Sequence, residues 1–229
     1  MFIYKIYRKN TIKRIDSKIN MLGPNHTLKI TTFLNSRFLL CLLLFIITLF
    51  GTKYGYLQAP ILTFIFYYLY EYILLDYPIK KRGIALEKEA LFFFEIFTLT
   101  LESGRNIKHA LEMASNNIHS ELSQEFKKAI EEIRLGKSLN ESLESLKKRI
   151  PSETIRNTIL NIMESNQFGN NLVPSMYSQL DYLRQKQLLD AKASIALLPT
   201  KISIISVLFF IPIMMLIILA PVLIRYLTS

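Results

Sequence analysis

Apolar residues along this chain fall into two patterns. In three places they run on almost without interruption, and elsewhere they recur every three or four positions. The continuous runs are residues 38–52 (FLLCLLLFIITLFGT, between Arg37 and Lys53), residues 57–75 with Pro60 near the start, and residues 202–224, which are 23 residues without a charge. At helical rise the last is about 34 Å long, enough to cross a hydrocarbon core of roughly 30 Å. The first run alone gives only about 22 Å. It spans if its helix begins near Ile30, if Arg37 snorkels, and if Tyr54 and Tyr56 take the far interface. Tyr67, Tyr68, Tyr70, Tyr72 and Tyr77 crowd the exit of the second run, as an interfacial aromatic belt would. The pattern predicts two transmembrane helices within residues 30–78, at about 34–52 and 57–75, and a third at 202–224.

From Ile84 onward apolar positions repeat with helical spacing and show no sustained alternation. The stripes are Ala90, Phe93, Phe94, Phe97 and Leu101; Ile107, Ala110, Leu111, Ala114 and Ile118; Leu122, Phe126, Ala129, Ile130 and Ile133; Leu139, Leu143 and Leu146; Ile155, Ile159, Ile162 and Met163; and Leu172, Met176, Leu180 and Leu183. Breaks fall at Ser103-Gly104, around 117–120, at Gly136, at Pro151 and at Gly169. Six helices with short connections can close a compact bundle. The chain therefore reads as an all-α membrane protein: three transmembrane helices, with a six-helix bundle at residues 83–200 between the second and third.

Charge gives this plan an orientation. The net +10 of the chain is unevenly placed: residues 1–37 carry eight Lys/Arg against one acid, whereas residues 76–201 carry 18 against 16. A duplex binder needs its basic excess on the folded domain, so nucleic acid is not an expected partner. Basic flanks beside apolar runs mark the cytoplasmic side instead. The arm at residues 1–29, Lys80, Lys81 and Arg82, and Lys192 and Lys201 all agree if the N-terminus and residues 76–201 are cytoplasmic and the C-terminus lies outside. In the arm, Ile12, Ile15, Ile19 and Leu22 share a helical face that Gly23-Pro24 ends. It reads either as a basic helix lying on anionic lipid or as a disordered basic arm. It is not a signal peptide, because the apolar run begins too late.

Three glycine breaks align as SGRNIKHAL, LGKSLNESL and FGNNLVPSM, with Gly104, Gly136 and Gly169 spaced 32 and 33 residues apart. Each has large apolar residues three and seven positions on and a small residue six on. The alignment predicts helix–turn–helix corners. Glycine takes the left-handed conformation that closes one helix, and Asn106, Ser138 or Asn171 caps the next. Ser138 with Glu141 fits a capping box. This reading absorbs Gly136-Lys137-Ser138, which by itself resembles the end of a phosphate-binding loop. The full motif needs a glycine where Glu131 stands, after a strand.

No catalytic, cofactor or metal site emerges. The histidines His26, His109 and His119 are scattered, and the lone Cys41 permits neither an intramolecular disulfide nor a zinc cluster. Glu71 is the one acid inside a predicted span and a functional candidate on that ground. Its place one turn from the cytoplasmic end favours simple snorkelling. Pro212 is expected to kink the third span. Candidate partner contacts are the corner residues Arg105, Lys108, Lys137, Asn140 and Asn170.

The order of these parts resembles the type II secretion system F family, in particular its short single-domain members of the tight-adherence (Tad) pilus kind. LTLESGRNIKHALEMAS (99–115), IRLGKSLNESLESLKKRIP (133–151), FGNNLVPSMYSQLDYLRQK (168–186) and FIPIMMLIILAP (210–221) carry the resemblance. It implies that Gly104, Gly136 and Gly169 lie at corners of a cytoplasmic bundle and that Pro212 and Pro221 match the last transmembrane helix. Many relatives have an acid just before the third glycine, where this chain has Asn166, Gln167 and Phe168. The resemblance further implies a non-enzymatic, cofactor-free platform in the inner membrane. Its partners would be a cytoplasmic secretion ATPase, pilin or prepilin subunits, membrane lipid, and a second copy or a sister platform protein. The rival reading is a membrane-anchored helical adaptor or signalling protein unrelated to pili.

Overall fold

The structure is a computed structural model that describes residues 9–23, 28–51, 54–169 and 171–227, with the side chains of Lys9 and of residues 220–227 excepted. Pro24, His26, Lys53 and Asn170 therefore lie outside the described residues, as does the start of the basic arm, and of Pro221 only the helical backbone is described. Among the described residues every regular element is helical and there is no strand. The elements are α1 (Lys9–Asn20), α2 (Ile30–Gly51), α3 (Gly55–Glu71), a π-helical segment (Tyr72–Asp76), α4 (Tyr77–Glu102), α5 (Ile107–Asn117), α6 (Glu121–Arg134), α7 (Leu139–Arg149), α8 (Glu153–Phe168) and α9 (Leu172–Leu227). They divide into two compact units, residues 1–181 and 182–229.

Two helices, α2 and α9, are long and apolar enough to cross a membrane. α2 begins at Ile30, which gives it 22 residues and about 33 Å. α3 has 17 residues, about 26 Å, so it is short of a full crossing as a pure α-helix. The second apolar run does not end in a break, because the backbone stays helical through the π segment into α4. The wide turn has a local cause. In an unbroken α-helix the ring of Pro78 would meet the carbonyl four residues back, that of Leu74. The π segment lies immediately before Pro78, and there the Tyr77 N–H reaches back five residues to the Tyr72 carbonyl.

In the first unit, α4 contributes the fully buried Leu86, Ala90, Phe93, Phe94 and Phe97. Phe93 stacks on Phe126 of α6 with ring centroids 4.4 Å apart, and Phe94 meets the same ring edge-on at 6.2 Å. Ala110, Leu111, Leu143, Leu146, Ile155, Ile159, Ile162, Met176 and Leu180 complete the core. Each large side chain so buried stabilises by about 1.5–3 kcal/mol. Ile107, Ile133, Leu139 and Met163, at the ends of their stripes, are only half-buried.

The N-terminal helix departs from both readings of the arm. Ile15 and Leu22 are buried against Phe33 and Leu34 of α2 and Leu75 of the π segment, with Ile19 packed beside them. The apolar face of α1 is covered by this chain itself and is not offered to lipid. In the second unit, α9 exposes Ile195, Leu197, Ile202, Ile205, Leu208, Phe209, Ile213 and Leu216. The helix continues through Pro212.

Candidate functional site: three corners and two charge clusters

The backbone at the three corners is left-handed: Gly104 has φ +80°, Gly136 +102° and Gly169 +68°. A Cβ at any of them would meet nothing within 4 Å. The demand for glycine is thus conformational, not steric crowding from neighbours. At Gly136 the closure is a complete Schellman motif. The Gly136 N–H donates to the Ile133 carbonyl at 3.1 Å, and the Lys137 N–H to the Glu132 carbonyl at 3.1 Å. The Gly104 N–H donates in the same way to Leu101 at 3.0 Å. The third corner differs, for Gly169 itself caps α8 and its N–H donates to Ser165 at 2.9 Å.

The next helices start on the expected side chains. Asn106 Oδ1 accepts from the His109 N–H at 2.8 Å, and Asn171 Oδ1 from the Val173 N–H at 3.2 Å. Ser138 and Glu141 form both halves of a capping box: the Glu141 N–H donates to Ser138 Oγ at 3.2 Å, and the Ser138 N–H to Glu141 Oε2 at 3.0 Å. These bonds also answer the phosphate question. The N–H groups of Gly136, Lys137 and Ser138 are all engaged, so none is left to cradle an anion. Glu131 lies within α6.

The corners share one end of the first unit. The opposite end is marked by the middle of α4, where Glu87 accepts from Ser152 Oγ at 2.6 Å and Glu89 from the Leu122 N–H at 2.9 Å. Those bonds reach the α7–α8 and α5–α6 connections. α4 then runs fifteen residues from Glu87 to the first corner at Glu102, about 22 Å. Tyr177 Oη donates to Glu102 at 2.8 Å, tying the first turns of α9 to that corner. Asn166 Nδ2 donates to Asn140 Oδ1 at 3.1 Å, joining the second and third. Arg105 and Lys108 are exposed. Lys137 is exposed but paired with Glu132 at 2.8 Å, and Asn140 is half-buried.

A buried charge cluster lies at the other end. Glu125 of α6, 1% exposed, receives Arg82 of α4 and Arg149 of α7 at 3.0 Å each. Arg82 also binds Glu121 at 2.6 Å, the Met21 carbonyl after α1 at 2.8 Å and the Arg149 carbonyl at 2.9 Å. Arg149 reaches on to Glu132 at 3.1 Å, and Glu132 to Lys137. Burial pushes the Glu132 carboxyl up, but the Lys137 hydrogen bond and the Arg149 and Lys137 charges outweigh it and hold it below its ordinary value. Arg82 is a flanking cation by its place in the sequence, and the fold buries it. One signal was available: Glu125 falls in the apolar stripe of Leu122, Phe126 and Ala129, where a carboxylate needs a partner.

The second cluster surrounds Glu71. Its carboxylate receives Lys18 at 2.8 Å, Arg37 at 3.1 Å and Arg14 at 3.5 Å, and Lys18 also pairs with Asp76 at 2.6 Å. Glu71 and Arg37 turn to each other. Arg37 is fully buried between α2 and α3, over the Tyr67 ring at 3.5 Å and donating to the Tyr67 carbonyl at 2.9 Å. Tyr70 likewise turns inward, within 2.7 Å of Ser36 Oγ. The exit belt is therefore reduced to Tyr68, Tyr72 and Tyr77, which stay exposed. Among the described residues no group of acids, His and Cys could hold a metal ion.

An all-helical chain with two membrane-length apolar helices and a helical unit built on three glycine corners is the class these features define. The family model for the type II secretion system (T2SS), protein F, matches residues 93–220, from the aromatic core of α4 into the apolar part of α9. That is more than half of the chain, which belongs to this family. Its members are generally non-catalytic platform proteins of membranes. Comparison with curated proteins and with solved structures returned no match.

Proposed function

We propose that this chain is a non-enzymatic inner-membrane platform of a type II secretion or Tad pilus machine, linking a cytoplasmic ATPase to pilin subunits held in the bilayer. The match of the family over residues 93–220 carries the reading. Three transmembrane segments fit it. α3 and the π segment together run 22 residues, from Gly55 to Asp76, about 33 Å. The second apolar run therefore crosses with the π segment as its inner end. α2 and the apolar part of α9 supply the other two. The basic flanks put the N-terminus and residues 76–201 in the cytoplasm and the C-terminus outside. The helices α4 to α8 with the start of α9 then form the cytoplasmic bundle. Assembly with a second copy or a sister platform protein is part of this reading. Force from the motor would travel down α4 and α9 into the spans and lift subunits toward the growing fibre.

The test is genetic and biochemical together. Deletion should abolish pilus assembly or secretion, and the detergent-solubilised full chain should retain the secretion ATPase of the same cell. Intact assembly after deletion overturns the proposal. Nucleotide turnover by the purified chain alone would move it to an enzyme class.

A further inference from the structure

The helix that joins the second apolar run to the bundle has a weak point, and the N-terminal helix lies across it. α3 and α4 are continuous through the π segment, Tyr72–Asp76. There the Tyr77 N–H reaches the Tyr72 carbonyl, and Pro78 has no N–H to return to the Leu74 carbonyl. Wide turns and prolines are where helices kink. α1 and the residues that end it take hold on both sides of this turn. Lys18 Nζ bridges Glu71, the residue before the π segment, at 2.8 Å and Asp76, its last residue, at 2.6 Å. Leu75, inside the turn, is fully buried in the apolar cluster with Ile15 and Leu22. Beyond the turn, Arg82 of α4 donates to the Met21 carbonyl at 2.8 Å. Gly23 has φ +95°, and a Cβ on it would stand 2.8 Å from Arg82 Nε, so the backbone there rests directly on the guanidinium. α1 also touches α7 of the bundle.

We propose that α1 is a splint across the π turn. Seated, it makes α3 and α4 one stiff rod; released, it lets the bundle swing about Tyr72–Asp76. The contacts fix the angle of the turn, because bending it would change the span from Glu71 to Asp76 that Lys18 holds and would move Arg82 away from Met21. A helix of twelve residues is marginal by itself in water, so α1 depends on this seat and leaves it as a unit. The Asp76 side chain is 40% exposed, which opens the Lys18 bridge to competing charge. The device belongs to the fold and holds whatever machine the chain serves. The far end of α4 lies 26 residues on, about 39 Å, so a kink of about 20° at the turn would carry it through about 13 Å.

The experiment measures a distance across the turn in the full chain, held in lipid nanodiscs. Spin labels go on Asn35→Cys in α2 and Lys108→Cys just beyond the end of α4, both exposed positions, in a Cys41→Ser background. With α1 otherwise unchanged, the distance distribution should be single and narrow. Lys18→Met, and separately Ile15→Ser with Leu22→Ser, should each broaden it by about 10 Å. Lys13→Met, on the exposed side of α1, should leave it narrow. Pro78→Ala added to the double serine variant should restore most of the narrow distribution, since alanine returns an N–H to the Leu74 carbonyl. Hydrogen exchange of the α5 and α6 amides serves as the folding control. If those amides lose protection in the double serine variant, Lys18→Met, which leaves the apolar seat intact, decides alone. A broad distribution with α1 intact, or a narrow one in both released variants, overturns the splint. Broadening that Pro78→Ala leaves untouched overturns the π turn as the joint.

Discussion

Arg82→Met is the most informative single change in the folded unit, because one guanidinium holds three segments together. It binds Glu121 and Glu125 of α6, caps the Arg149 carbonyl at the end of α7, and reaches the Met21 carbonyl beyond α1. Methionine keeps much of the aliphatic stem and removes all four bonds. Breaking a buried ion pair costs about 3–5 kcal/mol. Glu125 retains Arg149 at 3.0 Å and Lys128 at 3.5 Å, so the cost should fall near the lower figure, about 3 kcal/mol. That is roughly a 150-fold rise in the population of the opened state. Hydrogen exchange of the full chain in detergent reads it directly. The amides of Met21, Leu22 and Ile150, bonded at 3.0–3.2 Å, should exchange faster by about that factor. Arg82→Lys should recover only part of the protection, since an ammonium cannot serve two carboxylates and two carbonyls with a planar fork. Lys148→Met, at an exposed neighbour, should change nothing. If exchange at both segments rises less than about fivefold, the buried guanidinium is not what fastens α1 and α7 to α4.

The other changes probe the corners and the second cluster. Gly136→Ala should cost about 1–2 kcal/mol in chemical unfolding, because φ +102° disfavours any Cβ. Gly169→Asn should cost less than Gly136→Asn, since φ +68° lies in the region asparagine tolerates. The Ser138 backbone and side-chain hydrogen bonds hold the Glu141 carboxyl low, and Glu132 is held low by Lys137 and Arg149 despite burial. Both depressed carboxyls contribute stability that is complete above their ordinary value of 4.5 and is lost as pH falls through the lowered folded values. Glu132→Gln with Glu141→Gln should therefore flatten the acid limb of a melting-temperature profile and lower stability at pH 7. Glu71→Gln leaves the buried Arg37 without its carboxylate and should cost about 3–5 kcal/mol, seen as faster protease cleavage in α1. Arg37→Met with Glu71→Met should recover most of that loss.

What could be read from the chain was what local chemistry decides. The glycines of the second and third corners close helices because the left-handed conformation and the caps at Ser138 and Asn171 are settled within five or six residues. The core stripes were legible for the same reason: Phe93, Phe94 and Phe97 recur at helical spacing whatever they pack on. The π segment was not legible, because its cause is a proline acting on a carbonyl four residues earlier within an apolar run that looked uniform. The exposed Leu135 and Phe168 were also missed, since spacing shows which positions share a face but not which turns stay uncovered.

The arginines show most clearly where one-dimensional reading stops. Arg37 and Arg82 both flank apolar runs, and a charge count places both at a membrane surface. Arg37 instead finds Glu71 thirty-four residues away and Arg82 finds Glu125 forty-three residues away. Burying a cation costs several kcal/mol unless such a partner arrives with the right geometry, and only the fold brings it. Each pair then fastens the N-terminal helix at a different point: Glu71 holds Lys18 and Arg14, and Arg82 holds the Met21 carbonyl. The basic arm that charge alone would send to lipid is thereby tied at its middle to the π segment's edge and at its end to α4. A pull along α4 would reach α3 through the continuous helical backbone and α1 through these two clusters.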